Sequence, residues 1–148
     1  MKKKISVLLV CTLCSVLFAG CSAAGVFRGV SFGMSREEVQ SAENAGTAPD
    51  TVLEGSGLRY RGVPFGNLTG DLFYRFGNGD TLTDVIFYAY GEHATDDGVA
   101  AMKEAAKMEW GLEFSENTSS GFSAQGDGFF ALLEYEPGGY LVLTLTAQ

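Results

Sequence analysis

Three rhythms of apolar and polar positions divide the chain. From Ile5 to Phe18 apolar side chains run with only Ser and Thr between them, a stretch too short for a bilayer crossing of about 20 residues. A helical rhythm follows twice. Ser35 and Glu38 form an S-x-x-E capping box, in which each side chain can satisfy a backbone amide of the other. Met34 and Val39 fall where a hydrophobic staple sits, and Glu37 and Glu38 suit the positive end of a helix. The pattern predicts a helix from Arg36 to about Glu43 with Val39 and Ala42 inward, ended by residues 44–50. In the second, Val99, Met102, Ala106 and Trp110 make one face, Thr95 or Asp96 caps the start and Gly111 supplies the stop.

The third rhythm alternates. Residues 71–76 put Leu72, Tyr74 and Phe76 on one face, and Phe73 and Arg75 on the other. Gly77 to Asp80 read as a hairpin turn, and residues 84–90 are apolar on both faces, as in a central strand. Residues 51–63 alternate weakly around three glycines and read as a broken strand. Residues 111–114 read as the start of a strand, and 115–128 as a loop pinned by Phe122. The chain closes with a hairpin turning at Pro137-Gly138-Gly139, with Leu141, Leu143 and Leu145 inward. Helices combined with antiparallel hairpins predict the α+β class: a single antiparallel sheet of about five or six strands with two helices packed on one face. No internal repeat and no low-complexity tract is visible in the sequence.

The N-terminus changes the picture of where such a domain sits. Lys2, Lys3 and Lys4 precede the apolar run, and Ala19 and Gly20 lead directly into Cys21. This is the layout of a secretory signal, and Leu17-Phe18-Ala19-Gly20-Cys21 resembles a bacterial lipobox. The resemblance implies a signal peptide over 1–20, acylation (palmitate) of Cys21, a lipidated tether over 21–25 and a single domain over 26–148. Two or three acyl chains, at about 0.8 kcal/mol per buried CH₂, make a lasting anchor. The expected location is the cell envelope, at the outer membrane facing the periplasm if the cell is Gram-negative. Cys11 and Cys14 depart with the leader, so the 128 residues from Cys21 carry neither a disulfide nor a free thiol. Without the three lysines, 7 basic groups face 18 acidic ones, a formal charge of −11. That surface repels nucleic acid and anionic headgroups.

A longer resemblance begins at Phe27, Arg28 and Gly29 and continues through Gly33, Met34, Ser35, Glu37, Glu38 and Val39. This opening is similar to the G-M-T-x-x-x-V segment of the outer-membrane assembly lipoprotein BamE and its SmpA/OmlA relatives. It is closer to lipoproteins that open F-R-G-x-x-W-G-M-S-x-E-E-V, with Phe32 here in place of the Trp. The aromatic hairpin over 72–90 and the helix ending at Trp110-Gly111 also resemble that second group. The resemblance implies an envelope lipoprotein with an α+β fold. BamE has no counterpart to the long second half, and no partner residue is carried over.

Catalytic chemistry has little to build on. His93 is the only histidine, beside Glu92 and ahead of Asp96 and Asp97, and no second His and no thiol past the leader can complete a transition-metal site. Gly29-Val30-Ser31-Phe32-Gly33 matches G-x-S-x-G, but it follows a short tether rather than a strand, so Ser31 lacks the strand-to-helix turn of a nucleophile elbow. Glu134 and Glu136 share one strand face near a turn, the pattern of a solvated face rather than of a glycosidase pair. Asp80 and Asn78 lack the ligand spacing of a calcium loop. The expectation is a non-enzymatic chain with no cofactor and no metal. Its candidate contacts for an envelope protein partner, or for a small ligand held on an aromatic sheet face, are Tyr60, Phe65, Phe73, Tyr88 and Tyr90.

Overall fold

The computed structural model describes residues 25–43, 51–53, 57–117, 121–136 and 139–148. The leader, Cys21 and the tether up to residue 24 lie outside the described residues, as does the 44–50 segment. Helix α1 spans Arg36–Glu43 and α2 Asp96–Trp110, preceded by a 3-10 turn at Gly91–His93. The strands are β1 (Thr51–Leu53), β2 (Gly57–Phe65), β3 (Leu68–Phe76), β4 (Leu82–Ala89), β5 (Ser115–Asn117), β6 (Gly121–Gln125), β7 (Phe129–Glu136) and β8 (Tyr140–Ala147). All pair antiparallel in one sheet of order β1-β2-β3-β4-β8-β7-β6-β5. The α+β class and the single sheet hold, but eight strands replace the expected five or six. The additions are short or polar. β5 and β6 occupy the stretch read as a loop, and the expected strand at 111–114 is irregular backbone.

Local chemistry fixes both helix starts. The Ser35 amide donates to Glu38 Oε2 at 2.8 Å, and the Glu38 amide donates to Ser35 Oγ at 3.4 Å. Thr95 Oγ1 accepts from the Gly98 amide at 3.1 Å, and Gly111 ends α2 at φ 68°. Gly98 is required by space: a Cβ there would lie 1.8 Å from the His93 carbonyl oxygen. In α1 the inward positions are Val39 and Glu43, not Val39 and Ala42, which is exposed. Glu43 is tolerated inside because the Tyr74 hydroxyl donates to it and Arg28 Nη2 lies 3.4 Å away.

Both helices pack on the same sheet face. Val39, Val99, Met102 and Ala106 join Leu58, Leu72, Tyr74, Phe87, Leu133, Leu141, Leu143 and Leu145 in one core. Trp110 lies across this core, with ring centroids 5.3 Å from Phe65, 5.8 Å from Phe27 and 6.3 Å from Phe129.

The order of elements reveals a repeat that the sequence hides: a helix followed by four antiparallel strands, twice, with the last strand of each unit paired at the centre. Strand register matches the two units position by position. The row Leu58–Tyr74–Val85 corresponds to Phe122–Leu133–Leu143, and Tyr60–Leu72–Phe87 to Ala124–Ala131–Leu145. At the β4–β8 seam Val85 faces Leu145 and Phe87 faces Leu143, as an approximate two-fold axis requires. The caps correspond as well, Ser35 to Thr95 and Val39 to Val99.

Candidate functional surfaces

The sheet face opposite the helices carries the first candidate surface. Its central row runs Arg59–Phe73–Ile86–Thr144–Leu132–Ser123, and the next Asp71–Tyr88–Val142–Glu134. Neither helix packs on it. Even so, Ile86 and Val142 are only 5% and 4% exposed. Phe73 meets Tyr88 edge to face at 5.2 Å, and the Arg59 guanidinium lies over the Phe73 ring at 5.3 Å. Asp71 holds this stack. One oxygen accepts from Arg59 Nε at 3.1 Å and also from Nη2, and the other accepts from the Tyr90 hydroxyl at 3.0 Å. Tyr90 Oη in turn accepts from the Gly62 amide at 3.2 Å. The hydrogen bond to Asp71, followed by partial burial, pushes the Tyr90 hydroxyl above its ordinary value of 10.0.

Three of the five expected contact residues therefore meet on one face: Phe73, Tyr88 and Tyr90. The other two do not. Tyr60 and Phe65 are 3% and 7% exposed and belong to the core on the helix side. Tyr60 alternates with Leu58 and pairs Leu72 on the inward face, and a bulge between Tyr60 and Val63, where Gly62 takes φ 64°, brings Phe65 onto that same face. Both Tyr60 and Val63 point inward, so simple alternation misplaces this strand. Tyr60 stands edge-on to Tyr74 at 5.9 Å, and its buried hydroxyl has no hydrogen-bond partner among the described residues.

The second candidate is a groove of about 520 Å³ that the sequence reading missed. It lies on the helix side, between the N-terminal half of α2 (Asp96, Val99, Ala100, Lys103) and the sheet margin (Glu116, Asn117, Gly121, Phe122, Tyr135). Lys103 Nζ sits 3.1 Å from the centroid of Phe122. Tyr135 is 43% exposed, and its hydroxyl is pushed up by partial burial and by the Asp96 carboxylate. The only signal for this groove in the sequence was the lone Phe122 in a polar stretch.

The remaining candidates do not assemble. His93 Nε2 lies 3.7 Å from Glu92 Oε1 in the 3-10 turn. Asp80 is engaged by Arg36 Nε at 3.1 Å. Among the described residues no three His, Cys, Asp or Glu side chains converge as metal ligands, and no helix is long and apolar enough to cross a membrane. Comparison with protein-family models, curated proteins and solved structures finds no match.

Proposed function

We propose that this chain is a lipid-anchored, non-enzymatic module of a bacterial cell envelope that docks on another envelope protein through the helix-free sheet face. The observation that carries this reading is the Arg59–Phe73–Tyr88 stack clamped by Asp71. Protein interfaces are enriched in Tyr, Phe and Arg and depleted in Lys and Glu. Three of the five arginines, Arg59, Arg61 and Arg75, lie on β2 and β3, and no lysine does. Clamping by Asp71 orders the arginine and Tyr90 before any partner arrives, which lowers the entropy lost on binding. The lipobox-like segment ending at Cys21 supports the anchor, and the single histidine, with no strand among the described residues leading into Ser31 to make an elbow, supports a non-enzymatic role.

The test is crosslinking in living cells followed by identification of what is recovered, comparing the native chain with Cys21→Ser and Tyr88→Ser. The native chain recovers a partner in near-stoichiometric amount, and each variant recovers it at least about tenfold less well. Equal recovery by Tyr88→Ser, with its melting temperature unchanged, contradicts docking by this face.

A further inference from the structure

The two units differ at one pair of matching positions in a way that defines a ligand. In the first unit Arg36, the first residue of α1, fills the space between helix and sheet. Its guanidinium lies 4.6 Å from the Phe76 ring centroid, and Nη1 reaches toward the Gly57 carbonyl at 3.4 Å. In the second unit the matching residues are Asp96, Tyr135 and Gly121. Each cap is followed directly by Arg36 or Asp96, and Gly57 and Gly121 each precede the matched pair Leu58 and Phe122. Phe76 pairs Leu82 beyond a bulge, as Tyr135 pairs Leu141. Asp96 is too short to span the gap and carries the opposite charge. The space Arg36 fills in one unit is the open groove in the other.

We propose that this groove binds an arginine side chain presented by an extended peptide segment, in the place that Arg36 occupies in the first unit. The guanidinium would lie over Tyr135, paired with Asp96 and near the Gly121 carbonyl, and Glu116 adds negative charge at the rim. Cation–π contact and a charge-assisted hydrogen bond to carboxylate are the interactions arginine makes best. Lys103 covers Phe122 at the other end and restricts the groove to one cation.

The edge strand supplies the backbone recognition. In an antiparallel sheet successive residues turn their N–H and C=O to alternate sides. The Tyr90 amide donates to Thr69 across β3–β4, and the Phe129 carbonyl accepts from the Gly126 amide toward β6. Carried through the register, this alternation turns Ser115 and Asn117 toward β6 and Glu116 outward. Among the described residues β5 ends the sheet, which leaves the Glu116 amide and carbonyl to an added strand.

The probe is the peptide acetyl-Thr-Val-Thr-Arg-Thr-Val-Thr-amide titrated into the ¹⁵N-labelled domain, with the citrulline peptide as its uncharged isostere. Saturable shifts confined to Val99–Lys103, Ser115–Asn117, Gly121, Phe122 and Tyr135 are expected, with the citrulline peptide at least about tenfold weaker. Asp96→Arg, which copies the first unit, should abolish binding by filling the groove. Glu116→Pro, which removes the outward amide, should weaken it about tenfold, whereas Glu116→Thr, which keeps the amide, should weaken it far less. Asp96 and Glu116 are exposed, and a melting curve confirms that each variant folds. The proposal is overturned by no saturable shift up to about 10 mM peptide, by shifts elsewhere, by equal binding of the citrulline peptide, or by binding that survives Asp96→Arg. Equal weakening by Glu116→Thr and Glu116→Pro overturns the strand-addition part.

Discussion

At the scale of single residues, buried polar groups decide more than exposed ones. Glu43 is 1% exposed in its side chain and accepts from the Tyr74 hydroxyl, whose own ionisation is pushed far up by burial and by the Glu43 charge. Glu43→Ala leaves that hydroxyl buried without an acceptor, whereas Arg28, 42% exposed, regains water. The expected loss is therefore that of one orphaned hydroxyl, about 2 kcal/mol in urea unfolding. Glu43→Gln keeps an acceptor and loses less. Gly98 reverses a familiar sign. Gly→Ala inside a helix ordinarily gains about 1 kcal/mol, but here the new Cβ meets the His93 carbonyl at 1.8 Å. Gly98→Ala should lower the melting temperature, and an unchanged or raised value would contradict the geometry. Glu38 carries a pH signature. Hydrogen bonds from the Ser35 amide and then its hydroxyl lower the carboxyl below 4.5 in the folded chain. The cap's contribution is present above the unfolded value and lost as pH falls through the folded one. NMR titration of Ser35→Ala should show Glu38 moving upward.

At the scale of elements, legibility followed the distance over which each signal acts. The two helices were readable because Ser35 with Glu38, and Thr95 with Gly111, act within one or two turns. Burial of Glu43 was not, because the partners that allow it, Arg28 and Tyr74, come from other segments. β6 escaped notice because Ser123 and Gln125 hide the alternation of Phe122 and Ala124. The doubled architecture escaped for a similar reason. Tyr60 and Leu72 in one unit answer to Ala124 and Ala131 in the other, so register persists where side-chain identity has gone. Of the candidate contact face, Phe73, Tyr88 and Tyr90 were legible from apolar density on both sides of β4. The bulge at Gly62 that sends Phe65 inward left no readable mark. Thr95→Ala tests the second cap and should cost about 1 kcal/mol, read as a lower urea midpoint with an unchanged slope.

For the whole molecule, the two units share a single core across the β4–β8 seam, and Trp110 sits among Phe27 and Phe65 of the first unit and Phe129 of the second. Unfolding followed by the fluorescence of this one tryptophan should coincide with unfolding followed by far-UV circular dichroism. Two separated transitions would mean that the units fold independently. Among the described residues no helix covers the other face of the sheet, and there an arginine–aromatic stack is held by Asp71. Docking through that face is the central claim. Its most direct test places a photocrosslinking amino acid at Tyr88, or at Met108, which is 79% exposed on α2, in the full chain in living cells. A discrete protein adduct from position 88 and none from position 108 is the predicted result. Adducts from 108 alone, or none from either, would contradict it.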